Sequence, residues 1–239
     1  MIGGSRSRLG TFGVLVAALV AVPASVHAAS LALTTQRLTA VATCALAAYP
    51  STALVDADSY VQQLVPTMTA GNGASMTVRT GNGTNDRSYV RFDLTKCLVA
   101  VPANAIVRTA TLQLYVTAMS ASCRVLDVFA APSSWAEGTV NWNNQPVGTA
   151  INNPPASQRT SSTQVGSPMA CANRTNNRYV SWDVTADVGR FVNGSATNYG
   201  WLIRDDTEGS ATSYGETFTA SNGGSQSTAP QLVISYTLV

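Results

Sequence analysis

Histidine and lysine are nearly missing from this chain of 239 residues, which has one of each, His27 and Lys96. Charged side chains make up only 11% of the sequence. His27 lies in the predicted leader, residues 1–28, so we expect the mature chain to have no histidine. This excludes Ser-His-Asp and Cys-His mechanisms and histidine-bound zinc. The scarcity of positive charge also argues against a nucleic-acid partner, which needs a basic excess or stripe.

The first 28 residues have the pattern of a secretory signal peptide. Arg6 and Arg8 precede the apolar run GVLVAALVAVPA, and the small residues Val26 and Ala28 favour cleavage after Ala28. The apolar run is shorter than the roughly 20 residues that span a bilayer. We therefore expect a secreted, extracellular protein without a membrane span. Removal of the leader leaves twelve basic and twelve acidic side chains, so the formal charge falls to zero.

Cysteine is scarce as well, but its number is informative. An even number of cysteines in an exported chain indicates two disulfides, here among Cys44, Cys97, Cys123 and Cys171. The three possible pairings remain open. Simple up-and-down strand order places Cys97 and Cys123 at opposite ends of a sandwich and disfavours their pairing, although a crossover would remove that argument. A zinc site would need closely spaced cysteines or histidine partners, and the chain has neither.

Several segments alternate apolar and polar residues with period two, which is typical of strands with one buried face. The alternation predicts inward side chains at Val90, Phe92, Leu94, Leu112, Leu114, Val116, Val180, Trp182 and Val184. It predicts outward side chains at Tyr89, Arg91, Asp93, Gln113, Tyr115, Thr117, Tyr179, Ser181 and Asp183. Glycine- and asparagine-rich turns separate the segments. We predict an antiparallel β-sandwich of jelly-roll type with one short helix at residues 185–194 and a long polar loop at residues 150–178, which Cys171 could tie down.

Six blocks in order along the chain resemble secreted proteins that carry the DNRLRE domain, a group that includes the family-96 carbohydrate-binding modules. The blocks are DADSYV (56–61), NDRSYVRFDL (85–94), IVRTATLQLYV (106–116), SWAEGTVNWNNQP (134–146), WDVTADV (182–188) and NYGWLIRDD (198–206). The resemblance implies a jelly roll over residues 55–239, after an N-terminal extension or leading strand at residues 29–54. It also implies binding of polysaccharides, including acidic ones such as alginate.

Sugar binding needs aromatic faces that stack on sugar rings and planar polar groups that bond hydroxyls or carboxylates. The candidate binding residues with this chemistry are Tyr89, Arg91, Gln113, Tyr115, Arg204 and Trp135. The alternative is that the strand residues form cross-strand pairs that only stabilise the sheet. For the stretch SWAEGTVNWNNQP, strand parity places Val140 and Trp142 on one side of a short strand. We expect Trp142 to pack inward and the stretch to close a loop.

Carboxylates are dense in DADSYV and RDDTEGS, and hard oxygen ligands of this kind can hold a structural calcium ion. The candidate ligands are Asp56, Asp58, Asp205 and Asp206, and pairing with arginines is the alternative. We expect no other cofactor. We predict a secreted, non-catalytic polysaccharide-binding protein. The alternatives are a structural surface protein that contacts protein partners and a polysaccharide-degrading enzyme that uses a carboxylate pair such as Asp205 and Glu208.

Overall fold

The computed structural model describes residues 41–47, 55–97, 101–223, 225 and 227–238, with side chains from Ala57 onward. The predicted leader lies outside these ranges. Eleven strands and one α-helix occur in the described part of the chain. They are β1 (Val41–Ala47), β2 (Val55–Gln62), β3 (Ser75–Thr80), β4 (Asp86–Phe92), β5 (Ile106–Ala118), β6 (Arg124–Ala130), β7 (Ser161–Val165), β8 (Arg178–Asp183), α1 (Thr185–Val192), β9 (Trp201–Asp205), β10 (Tyr214–Thr219) and β11 (Gln231–Thr237).

The strands form two layers with antiparallel pairing throughout. One layer, the covered sheet, has the order β2-β4-β9-β6-β7. The other layer, the open sheet, has the order β1-β11-β5-β8. Strand β10 pairs with the end of β5 and along β3, and so connects the layers. The predicted all-β antiparallel sandwich of jelly-roll type is confirmed.

The main core lies between the two layers and follows the predicted alternation. Leu112, Leu114 and Val116 on β5 are completely buried. The facing layer contributes Val90, Phe92, Leu126, Val128, Trp201 and Ile203. Each such side chain stabilises the fold by about 1.5–3 kcal/mol through burial. Leu94 lies beyond the end of β4, at the start of a short 3-10 turn, and is partly buried against the main core as expected.

The predicted helix is confirmed, and Gly194 follows it with a positive φ of 76°. Glycine adopts this conformation without a steric cost, which suits the end of a helix. In the described part of the chain, no helix is long and apolar enough to cross a membrane. The predicted loop at residues 150–178 is only partly right, because it contains β7. The sequence of β7, SSTQV, has one apolar residue, Val165, which is the one fully buried residue of the strand, so no apolar alternation marks this strand in the sequence.

A disulfide joins Cys123, just before β6, to Cys171 in the segment between β7 and β8. The Cα atoms of the two residues lie 5.4 Å apart. The prediction that Cys171 ties down the long polar segment is therefore confirmed, and Cys97 does not pair with Cys123. Cys97 is also disulfide-bonded. The side chain of Cys44 lies outside the described ones.

The crosslink spans 48 residues, and closing a segment of this length restricts the unfolded chain strongly. We expect the double variant Cys123→Ser, Cys171→Ser to lose about 4 kcal/mol of unfolding free energy. Urea denaturation monitored by tryptophan fluorescence measures the loss. The variant Ser122→Ala, which keeps the disulfide, serves as the control. Equal urea midpoints for the double variant and the control would contradict the expectation.

Candidate functional site

The outer face of the covered sheet is buried under the segment that joins β6 to β7, residues 131–160, which we name the cover loop. A second apolar cluster fills the space between them. The sheet contributes Ala57, Val61, Tyr89, Phe129 and Leu202, and the loop contributes Ala131, Trp135, Val140, Trp142 and Val147. This face of the sandwich is thus a second core, so its strands are apolar or buried on both sides.

The stretch SWAEGTVNWNNQP forms the first half of the cover loop. The short strand expected at Val140 and Trp142 is wrong, because this stretch consists of consecutive turns. Trp142 is buried as predicted, with 3% of its surface exposed. Asparagine side chains accept hydrogen bonds from the main-chain N–H groups of these turns. The N–H groups of Asn143 and Asn144 donate to Asn141 Oδ1, and the Asn141 N–H donates to Asn144 Oδ1. Asparagine favours such turns because its amide replaces main-chain partners.

Arg87 on β4 anchors the cover loop from below. Its Nε and Nη2 atoms donate to the two carboxylate oxygens of Glu208 at 2.6 and 2.7 Å. Nη1 donates to Gln145 Oε1 and Gly148 O, and Nη2 donates to Ala150 O. The guanidinium also lies over the Trp142 ring, 4.6 Å from its centroid. All five N–H donors of a side chain with no exposed surface are therefore used.

Two of the predicted binding residues face away from the main core but do not reach solvent. Tyr89 and Arg204 have 0% and 1% of their surface exposed, so their expected accessibility is wrong. The Tyr89 hydroxyl donates to Gln145 Oε1 at 3.0 Å, and burial raises the pKa of this phenol. Arg204 donates to Pro154 O at 2.7 Å and lies over the Phe129 ring. The cover loop occupies the side of the sheet where period two predicted solvent.

Two further predicted residues lie together at the margin of the cover loop. The guanidinium of Arg91 stands 5.5 Å from the centroid of the Trp135 ring and donates to Trp135 O at 3.3 Å. Trp135 has only 7% of its surface exposed, and its Nε1–H donates to Tyr199 O at 2.8 Å. Trp135 lines a surface groove of about 440 Å³ with Ser134, Ala136, Thr139, Val140 and Asn144. The Trp135 indole packs against Arg91 and against the ring of Tyr89, and the centroids of the two rings lie 5.5 Å apart.

Tyr199 belongs to a second groove of about 340 Å³ next to the cover loop. Its lining includes Pro132, Arg190 and Phe191. This groove, which we name the Tyr199 groove, combines two aromatic rings with an arginine. Arg190 is already paired with Asp187 one turn earlier in α1. The Tyr199 groove is therefore a second candidate surface for binding a sugar, and it is concave.

The remaining predicted residues, Gln113 and Tyr115, lie on the outer face of the open sheet, where both are partly exposed. Tyr115 is directly opposite Tyr179 on β8, and the two rings meet edge to face with centroids 5.3 Å apart. Gln113 is opposite Ser181 on one side and Gln231 on the other. We name these five residues the tyrosine face.

Hydrogen bonds hold the tyrosine face in place. Gln231 Nε2 donates to the Tyr179 hydroxyl at 2.7 Å, and that hydroxyl donates to Ala229 O at 2.8 Å. Gln113 Nε2 donates to Ser181 Oγ at 3.2 Å. Burial, with a smaller contribution from Tyr115, raises the pKa of Tyr179 to about 12. The phenol thus stays a neutral donor and acceptor at physiological pH.

The predicted calcium ligands do not come together. Asp205 accepts two bonds from Arg124, at 2.6 and 2.8 Å, and the Asp206 carboxylate lies 3.7 Å from the same guanidinium. Asp58 lies on β2, opposite Val90, at the other end of the covered sheet. The side chain of Asp56 lies outside the described ones. Among the described residues, no three His, Cys, Asp or Glu side chains are grouped as a metal site.

Two sets of residues were missed by the sequence reasoning for different reasons. Tyr179 and Ser181 had a signal, because period two already placed them outward, but the β5–β8 pairing that sets them beside Gln113 and Tyr115 joins segments far apart in the chain. The ion pair between Arg87 and Glu208 had no local signal, since 121 residues separate its partners.

The comparison with family models gives one match over most of the chain. Residues 49–236 match the family described as carbohydrate-binding module family 96. A comparison with curated proteins found no significant relative. The match includes the whole of the covered sheet, the cover loop and strands β5, β8 and β11 of the open sheet, apart from the last residue of β11.

Removing one partner of a buried ion pair leaves an uncompensated charge in the interior. We expect Arg87→Met to lower the unfolding free energy by about 3–5 kcal/mol, and Glu208→Gln to lower it in the same direction. The double variant Arg87→Met, Glu208→Met should lose less than the sum of the single variants, as coupled pairs do. Urea denaturation measures all of them. Arg174→Met, which removes an exposed arginine, is the control, and an equal loss there would contradict the role assigned to Arg87.

Proposed function

The chain belongs to carbohydrate-binding module family 96, and we propose that it binds a polysaccharide on the tyrosine face without catalysing a reaction. The observation that carries the proposal is a pair of partly exposed tyrosine rings on an open sheet, with three amide or hydroxyl side chains fixed beside them. Aromatic rings stack on the apolar faces of sugars, and oriented amides bond sugar hydroxyls. The arrangement is held by hydrogen bonds before any ligand arrives, which lowers the entropic cost of binding.

The proposed ligand is recognised through its hydroxyls and ring faces. By strand parity, the residues of β5, β8 and β11 on the same side as the tyrosine face include no lysine or arginine. The exposed arginines of these strands, Arg108 and Arg178, have the opposite parity. The two arginines expected to pair with a uronate carboxylate, Arg91 and Arg204, lie on the opposite layer. We therefore expect neutral polysaccharides to bind better than acidic ones, and binding to depend little on salt.

The covered sheet supports the proposal by exclusion. Tyr89 and Arg204 are bonded to the cover loop from beneath and offer no ring or guanidinium surface to a ligand. The carboxylate pair that would serve a glycosidase is also committed, because Glu208 is buried against Arg87 and Asp205 accepts from Arg124. A general acid or base must exchange protons with its substrate, which these two groups are not placed to do.

The proposal includes export of the protein from the cell. The leader over residues 1–28 is removed, the module proper covers residues 55–239, and the protein meets its ligand outside the cell. Two features support this: the pattern of the leader in the sequence and the disulfide between Cys123 and Cys171, a bond that persists in oxidising compartments. The rival assignment is a structural surface protein whose open sheet contacts a protein partner.

A binding screen on soluble and insoluble polysaccharides, neutral and acidic, tests the proposal. We expect retention on at least one neutral polysaccharide and a loss of affinity of about tenfold, or 1.4 kcal/mol, in Tyr115→Ala and in Tyr179→Ala. Affinity electrophoresis at low and high salt measures both. The variant Tyr179→Phe keeps the ring and loses the bond to Ala229 O, so it should retain more affinity than Tyr179→Ala.

Tyr199→Ala is the matched control, since it removes a partly exposed tyrosine from the opposite layer. A loss of affinity confined to Tyr199→Ala would move the site to the Tyr199 groove. Failure to bind any polysaccharide would overturn the proposal and favour the structural role. Release of reducing or unsaturated ends during the screen would favour an enzyme.

A further inference from the structure

A buried carboxylate with an unused oxygen lies on β2, away from the proposed sugar site. Asp58 has 1% of its surface exposed. Its Oδ2 atom accepts from the main-chain N–H of Ser221 at 2.6 Å, and its Oδ1 atom has no hydrogen-bond partner. An unsatisfied buried carboxylate oxygen costs free energy, and an unaccounted ion is one of the ordinary explanations for it.

A second carboxylate, Glu137 of the cover loop, reaches the same strand. The main-chain N–H of Asp58 donates to the Glu137 carboxylate. The Glu137 chain lies so close to Gly71 that a Cβ there would stand 2.5 Å from Glu137 Cγ and 2.2 Å from its main-chain oxygen. Asn222 Nδ2 donates to Gly71 O at 2.9 Å. Four separate segments of the chain therefore meet around the two carboxylates.

Burial and mutual repulsion both act on these two carboxylates. Burial raises the pKa of Asp58 to about 6. Burial and the charge of Asp58 raise the pKa of Glu137 to about 7, and the hydrogen bond from the Asp58 N–H and the charge of Arg91 oppose this only in part. Among the described side chains, neither carboxylate forms an ion pair. Two like charges in a partly buried place are mutually unfavourable, and a cation between them reverses that balance.

We propose that Asp58 and Glu137 form a calcium site, with Asp58 Oδ1 and the Glu137 carboxylate as protein ligands. Water and main-chain oxygens would supply the rest of the shell, since Ca²⁺ takes six to eight oxygens in irregular geometry. Mg²⁺ sheds its water reluctantly, so a ligand as deeply buried as Asp58 Oδ1 selects the larger ion. A surface groove of about 290 Å³ lies next to the two carboxylates in the chain, with Gly71 and Gly138 in its lining.

The bound ion would join β2, the cover loop, the turn at residues 70–73 and the turn that follows β10. Its predicted effect is to stabilise the covered sheet. The site does not include any member of the tyrosine face, so the inference is independent of the proposed function.

Calcium titration of the chelator-treated full mature chain, without any sugar, tests the proposal. We expect one Ca²⁺ per chain by isothermal titration calorimetry, a rise in Tm of several degrees in excess CaCl₂, reversal by EDTA, and a much smaller response to MgCl₂. Glu137→Gln keeps an acceptor for the N–H of Asp58 and should weaken Ca²⁺ binding at least tenfold. Asp58→Asn should do the same.

Asp206→Asn is the control, because it removes a partly exposed carboxylate that the sequence alone suggested as a ligand. The control should bind Ca²⁺ as the parent chain does. No binding by the parent chain, or parent-like affinity in Glu137→Gln, would overturn the proposal. If Asp58→Asn does not fold, Glu137→Gln decides the question. Polysaccharide binding measured separately on Glu137→Gln keeps this result distinct from the test of the tyrosine face.

Discussion

The guanidinium of Arg87, which extends from β4, donates hydrogen bonds to both the cover loop and the segment after β9. Its bidentate pair with Glu208 is fully buried, and its other donors hold the carbonyls of Gly148 and Ala150. A charge in the interior is tolerated only when every donor is used, so the loop must close over β4 in one position. The packing of Trp142 on Arg87 and the bond from Tyr89 to Gln145 both depend on that position.

Closure of the cover loop makes the two layers of the sandwich unequal. The covered sheet has apolar clusters on both faces, whereas the open sheet has one buried face and one that presents polar and aromatic side chains to solvent. A ligand that needs accessible rings therefore finds them on the open sheet, at Tyr115 and Tyr179. The covered sheet instead collects buried charges. Arg87 and Arg204 donate to carbonyls of the cover loop, and Asp58 accepts from the main-chain N–H of Ser221. Structural and recognition roles are thus assigned to opposite sides of one domain.

Much of the fold could be predicted from the sequence because it depends on neighbours along the chain. Alternation on β5 and β8 identified the buried positions correctly, and the single helix followed from the spacing of its apolar residues and Gly194. The strand β7 was not predicted because Val165 is its only apolar residue and gives no alternation. The candidate site was predicted less well. Period two reports which side of a strand a residue faces, and for Tyr89 and Arg204 that side turned out to be a second interior.

The sequence by itself determined the all-β class and the inward residues of the main strands, which depend on local periodicity. It also determined the burial of Trp142, which follows from the size of the apolar ring and not from a strand. Only the tertiary structure decided that Cys123 pairs with Cys171, that Arg87 meets Glu208, and that Gln113 and Tyr115 share a surface with Tyr179. The physical reason is distance along the chain. These contacts join segments 48, 121 and more than 60 residues apart, and no local pattern records which distant strand will lie alongside.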